Sequence, residues 1–232
     1  MIIWNGVSSD SIGVIVERIP NRQITARRFT PQKIPGRNGD WLQVDESHDN
    51  TEQVYEVYLS AEAVGLPRVA HACAAWLNGP RGYAILRDDY DPSGFRYAFL
   101  RQAVNIENVL NLFGRTEIVF SCMPQLFLDA GQTEIDITAM SEIINETQND
   151  AEPLLRVVGT GDLTINGRTI SILENASEMT IDCQEAEATI GGENANTSVY
   201  CLEYPVLSPG SNAITIGEGI TSVMMIPRWW VQ

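Results

Sequence analysis

The residues able to do chemistry are few and widely separated. His48 and His71 are the only histidines, and no G-x-S-x-G occurs. A hydrolytic nucleophile needs a base within hydrogen-bond reach and a third group to orient that base. The sequence offers no such set, so the chain is not expected to be an enzyme. His71 lies beside the apolar stripe of a predicted helix and reads as a packing or surface residue. The four cysteines, Cys73, Cys122, Cys183 and Cys201, form no CxxC pair. Zinc sites draw clustered N and S ligands, so none is expected, and the thiols read as free and buried. Asp88, Asp89 and Asp91 are a calcium-type oxygen set, but their place between two β runs reads as a hairpin tip whose aspartates cap the turn. The carboxylates of the second half permit a glycosidase-type pair, whose separation a sequence does not fix. Gly159-Thr160-Gly161 lacks the third glycine of a dinucleotide loop and reads as a turn. No cofactor and no metal are expected.

The elements that position these residues divide the chain. Ile118, Phe120 and Cys122 fall on one face of an extended run, Val119 falls on the other, and Pro124 stops the run. Charge changes at the same point. Residues 1–124 hold 12 Lys+Arg against 14 Asp+Glu, a net of −2; residues 125–232 hold 3 against 16, a net of −13. So acidic a second half argues against a phosphate-binding face there. The sequence therefore predicts a first domain over 1–124, a polar connecting segment over 125–150 and a second domain over 151–232. At 232 residues, 44% hydrophobic and 19% charged, the composition is that of a globular protein. The start of the chain lacks the basic and apolar regions of a signal peptide, and no apolar run matches a membrane span.

The first domain reads as β-rich with one helix. Gly13-Val14-Ile15-Val16 is a β run, and Thr51 to Ser60 alternates with Tyr55, Val57 and Leu59 on one side. From Pro67 to Leu77, the residues Leu66, Val69, Ala70, Cys73, Trp76 and Leu77 give one helical apolar stripe. Asn78-Gly79-Pro80 closes it, with a left-handed Gly79 expected. Between the early strands lies a basic segment with Arg18, Arg22, Arg27, Arg28, Lys33 and Arg37, interrupted by Pro20, Pro31 and Pro35. It cannot be a regular helix. Its Ile34-Pro35-Gly36-Arg37-Asn38-Gly39-Asp40 reads as a compact turn. Arg22, Arg27, Arg28 and Arg37 are candidate inter-subunit contacts, because arginine pairs with carboxylates and stacks on aromatics at interfaces. A solvated loop is the other reading of the same residues.

The second domain has short β runs about every ten residues, and Asn166-Gly167 is a strong hairpin signal. No helix is needed, and an antiparallel sandwich is expected.

Taken in order, these motifs resemble the distal tail proteins (Dit) of long-tailed bacteriophages. The first half matches through Ile12-Gly13, Ile34 to Gly39, Ala75-Trp76-Leu77, Tyr83 to Asp89 and Phe120 to Pro124. The second half matches through Glu152 to Val157, Gly159 to Gly167, Ile181-Asp182-Cys183, Leu207 to Asn212 and Pro227-Arg228-Trp229-Trp230. The resemblance implies a mainly β chain: an N-terminal ring-forming domain and a C-terminal galectin-like β-sandwich. It implies a structural protein of the virion tail tip, assembled in the host cytoplasm. Six copies would form a ring joining the tail tube protein to the tail-tip hub or tail-associated lysin, with a receptor-binding protein as a further partner. DNA would pass through the lumen without sequence-specific binding, and no membrane is involved. A lectin-like module, with Trp229 and Trp230 as candidate sugar-stacking residues, is the alternative, and a tail-associated hydrolase the second. Short loops leave no room for an inserted carbohydrate-binding module.

Overall fold

The computed structural model describes residues 1–18, 20–21, 23–60, 65–109, 113–174 and 177–232. The chain forms two units, Met1–Leu126 with Gln232, and Phe127–Val231. In the first unit the strands are β1 (Ile2–Trp4), β2 (Val7–Ser8), β3 (Val14–Val16), β4 (Arg27–Gln32), β5 (Trp41–His48) and β6 (Thr51–Ser60). After helix α1 (Leu66–Asn78) come β7 (Ala84–Asp88), β8 (Gly94–Leu100), β9 (Glu107–Val109) and β10 (Phe113–Cys122). The main sheet runs β2-β1-β7-β8-β10-β6-β3. β10 pairs along its whole length with β6, from Phe113↔Ser60 to Cys122↔Thr51. Its other edge is shared, with β8 opposite Phe120–Cys122 and β9 opposite Phe113–Arg115.

Alternation explains which face is covered. Tyr55, Val57 and Leu59 of β6 and Ile118, Phe120 and Cys122 of β10 are fully buried on one side of the sheet. The α1 stripe Leu66, Val69, Cys73, Trp76 and Leu77 closes over the same core. Phe120 sits at its centre, with its ring 4.8 Å from Trp4 and 6.1 Å from Tyr55. Trp76 Nε1 donates to Val7 O at 3.1 Å, so the helix is pinned to the early strands as well as packed on them. Helix α1 ends differently from expectation. Gly79 is right-handed (φ −59°, ψ −50°), Asn78 Nδ2 donates to the Ala74 carbonyl at 2.9 Å, and Pro80 forbids continuation.

Strand β11 (Leu126–Leu128) begins on the last residue of the first unit; the second then carries β12 (Ile135–Asp136), β13 (Glu142–Asn145), β14 (Leu154–Gly159), β15 (Gly161–Ile165), β16 (Arg168–Ile172) and β17 (Glu178–Asp182). β18 (Glu187–Ile190), β19 (Glu193–Asn194), β20 (Val199–Tyr200), β21 (Gly210–Ile216), β22 (Ile220–Ile226) and β23 (Trp230–Val231) follow. Strands β12 to β22 make an antiparallel six-stranded sheet, β12-β22-β14-β17-β18-β19, and a five-stranded one, β13-β21-β15-β16-β20, while β11 pairs with β23. Leu155, Val157, Met179 and Ile181 of the first and Leu163, Ile165, Ile170 and Ile214 of the second share one core, which makes the unit a sandwich. Asn166 (φ 51°) and Gly167 (φ 78°) form the two-residue turn between β15 and β16, both in the left-handed conformation this tight hairpin requires.

The expected connecting segment over 125–150 is instead built into this sandwich. β12 pairs with β22 through Ile135↔Met225, β13 pairs with β21 through Glu142↔Ala213, and Ile137 is fully buried. Both are edge strands with a wet face, so their polar composition hides their pairing. Asn145 completes the attachment from within. Its Nδ2 donates to Asn149 O and Leu207 O, each at 2.9 Å, and its Oδ1 accepts from Thr147. Among the described residues no helix is long and apolar enough to cross a membrane.

Candidate assembly surface

β4 and β5 pair only with each other and leave the main sheet as a free two-stranded arm. Such a ribbon is marginal in water without a partner. Its register sorts the side chains. Phe29↔Val44 and Pro31↔Leu42 lie on one face; Arg28↔Asp45, Thr30↔Gln43 and Gln32↔Trp41 lie on the other. The polar face is internally satisfied. Arg28 Nε donates to Asp49 Oδ1 at 2.6 Å, and Gln32 Nε2 donates to Gln43 Oε1 at 3.4 Å. The Ser47 hydroxyl and N–H, with Arg28 nearby, hold the Asp45 carboxyl below its ordinary value. The apolar face is half open: Phe29 is 48% exposed, Leu42 51% and Val44 54%.

At the tip, Arg37 N donates to Ile34 O at 3.2 Å. Gly36 (φ 80°) and Gly39 (φ 78°) take the positive angles expected of the turn. Arg27, Lys33 and Arg37 are exposed and have no ion pair within the chain among the described residues. Of the four candidate arginines, Arg27 and Arg37 are open and Arg28 is engaged by Asp49. Arg22 lies outside the described residues. The reading of Arg18–Arg37 as a proline-broken segment missed β4, and β5 lies beyond it in a stretch read without a strand. The signal was present as the period-two alternation Phe29-Pro31 and Leu42-Val44.

The other candidates take structural positions. Asp88 Oδ1 accepts the N–H groups of Tyr90 and Asp91, both at 2.9 Å, and its Oδ2 accepts the Tyr55 hydroxyl at 2.7 Å. Burial, then the Asp88 carboxylate, pushes the Tyr55 hydroxyl far above its ordinary value, so it stays a donor. Asp89 faces the N-terminal amine at 3.2 Å. No group of three or more His, Cys, Asp or Glu among the described residues is placed to hold a metal ion. Burial pushes the Cys73 thiol up to about 11 and those of Cys122 and Cys183 up to about 12, so they remain thiols at neutral pH. Trp229 and Trp230 are half-buried against the second core, and Trp230 Nε1 donates to Asp150 O at 2.7 Å. Both indoles are thereby tied to the sandwich.

Two open grooves flank these elements. One of about 580 Å³ follows the root of the arm past Arg27, Arg28, Asp45 and Asp49. The other, about 470 Å³, runs along β6 and β10 past Glu56, Glu107, Arg115 and Glu117. Arg115 is spoken for, because Glu17 binds it at 2.5 Å and raises its pKa.

No family model matches the sequence, and no curated protein matches it. Among solved structures, the crystal structure of the Dit protein of phage SPP1 superposes with a TM-score of 0.76 at 12% identity, covering 100% of this chain and 98% of that one. That protein is described as a paradigm of the hub adsorption apparatus in phages infecting Gram-positive bacteria. The likeness covers both units in order, and the chain has the fold of a phage distal tail protein.

Proposed function

We propose that this protein is a structural component of a phage tail tip whose copies join through the arm into a closed ring. In this reading the ring has six subunits, continues the tail tube and seats the hub or adsorption device, and the chain is a virion component without catalytic activity. The observation that carries the proposal is the arm: an amphipathic ribbon whose apolar face, Phe29, Leu42 and Val44, is left open by its own chain. Burying such a face favours association by about 25 cal/mol per Å² of apolar surface, before the cost of joining two molecules. The shared fold supports the place in the virion, because the SPP1 protein belongs to a hub adsorption apparatus. Electron microscopy of the purified full chain at high concentration tests this reading. Closed rings of uniform diameter are the expected image. Single particles of monomer size throughout, with no rings after gentle crosslinking, would count against it.

A further inference from the structure

Asparagine followed by glycine is the pair most prone to lose its side-chain amide in water, because glycine has no Cβ to shield its nitrogen or restrict its backbone. The sequence holds four such pairs: Asn5-Gly6, Asn38-Gly39, Asn78-Gly79 and Asn166-Gly167. All four asparagines are exposed, so access to water does not sort them. What sorts them is how each is held. The Asn166 amide is engaged at both atoms. Its Nδ2 donates to Val206 O at 3.2 Å and to Asn212 Oδ1 at 2.5 Å, and its Oδ1 accepts from Ala213 N at 3.1 Å. Asn78 is the last residue of α1, and its Nδ2 is bound to the Ala74 carbonyl. Asn5 sits in the two-residue turn closed by Trp4↔Val7, and its N–H donates to Ile85 O at 2.9 Å. Asn38 has none of these restraints. It lies in residues 33–40, between β4 and β5, and its side chain makes no hydrogen bond among the described residues. The space beside Gly39 is open, with nothing within 4 Å of where a Cβ would stand.

We propose that Asn38 is a site of spontaneous deamidation at the tip of the arm, with water as the co-reactant. The Gly39 nitrogen gives up its proton and bonds to Asn38 Cγ, the Cγ–Nδ2 bond breaks, and Nδ2 leaves as ammonia. Water then opens the succinimide ring. Attack at Cγ leaves aspartate at position 38, and attack at the backbone carbonyl leaves isoaspartate. No electrons are exchanged; an amide and water become a carboxyl group and ammonia. Ring closure needs the Asn38 side chain and the Gly39 nitrogen to move together, and a segment with few restraints reaches that geometry more often than a held one. The bonds on Asn166 and Asn78 oppose the same motion, as the closed turn does at Asn5. Residues 33–40 carry Lys33 and Arg37 against Asp40, a net of +1, and the new carboxylate takes this to zero. An isoaspartate also lengthens the main chain within the turn. The site stands whether or not copies of the chain form a ring.

Incubating the dilute full chain in heavy-oxygen water at mildly alkaline pH, then digesting it in ordinary water and mapping the peptides by mass spectrometry, tests this. The heavy label marks amides lost during the incubation, and chromatography separates the aspartyl and isoaspartyl peptides. In the folded chain Asn38 is expected to lose its amide at least about tenfold faster than Asn5, Asn78 or Asn166. In urea, where the fold holds none of them, the four rates should lie within about fivefold of one another. Asn38→Gln, whose longer side chain does not close this ring, should keep its isoelectric point through an incubation that makes wild type more acidic. An Asn38 that keeps its amide in the folded chain would overturn the assignment. Loss at another of the four pairs as fast as at Asn38 would do the same, as would an acidic shift undiminished in Asn38→Gln. A spread of rates in urea as wide as in the folded chain would assign the difference to sequence and remove the role of the fold.

Discussion

Phe29 and Val44 stand directly opposite each other across the arm, and about half of each side chain is open to solvent. An apolar cross-strand pair stabilises a ribbon by only a few tenths to 1 kcal/mol. That is small beside the entropy of ordering so long a ribbon, so the arm gains little stability from its own cross-strand pairs.

The arm variant Phe29→Lys/Leu42→Lys should therefore separate folding from assembly. Neither side chain contributes to the first core. The melting temperature of the monomer is expected to move little, because surface substitutions cost within about 0.5 kcal/mol. Arg37→Ala should likewise leave the monomer's melting unchanged. Calorimetry beside sedimentation checks both, and a clear fall in monomer melting would show the arm to be part of the fold's own support.

The boundary between units is testable by expression of fragments. Residues 127–231 contain β12, β13, buried Ile137 and the Asn145 network, and should fold alone. Residues 151–232 lack all four. Amide dispersion by NMR should show a folded longer fragment and a poorly folded shorter one; equal folding of both would remove the claim that residues 127–150 belong to the sandwich.

Asn212 is fully buried and serves three carbonyls, with its Nδ2 lying 3.3 Å from Ile143 O and 2.9 Å from both Ser208 O and Gly210 O. Its Oδ1 accepts from Asn166 Nδ2 at 2.5 Å, which ties the β15–β16 turn to β21. Asn212→Ala leaves these groups without their partner and should cost about 2–4 kcal/mol. Denaturant unfolding of the 127–231 fragment measures this, and a loss under about 0.5 kcal/mol would show that other groups take over.

Arg228 holds Asp182 by a two-point contact, both bonds at 2.7 Å. Burial pushes the Asp182 carboxyl up, but the Arg228 bonds and charge, helped by the N–H groups of Glu185 and Gln184, outweigh it and leave the value below the usual 3.8. A carboxyl with a lowered folded value contributes fully above its unfolded value and loses that contribution as pH falls through the folded one. Arg228→Ala should thus cost about 2 kcal/mol near pH 7, and the gap to wild type should narrow below pH 4. Urea titrations across pH 2–7 test the sign; a gap that widens in acid would assign the stabilisation to another group.

Much of this fold was legible because the covering is one-sided. The α1 stripe, the Tyr55-Val57-Leu59 alternation and the Asn166-Gly167 turn follow from burial on one face and from turn stereochemistry. The arm was not legible in the same way, since its apolar residues face no core and Pro31 and the arginines interrupt the pattern. β12 and β13 were obscured by polar residues on their wet sides. Gly79 carried a left-handed signal that Asn78 and Pro80 made unnecessary. At the candidate surface, the sequence pointed to Arg22, Arg27, Arg28 and Arg37 alike; the fold adds that Arg28 is engaged by Asp49 and that Phe29, Leu42 and Val44 share a face.

The central claim is that the chain closes on itself through the arm, and a concentration series by sedimentation equilibrium on the full wild-type chain tests it most directly. The account predicts conversion of monomer into one larger species whose mass stays fixed, at six subunits, as concentration rises further. A monomer at every concentration, or growth without a limiting mass, would contradict it.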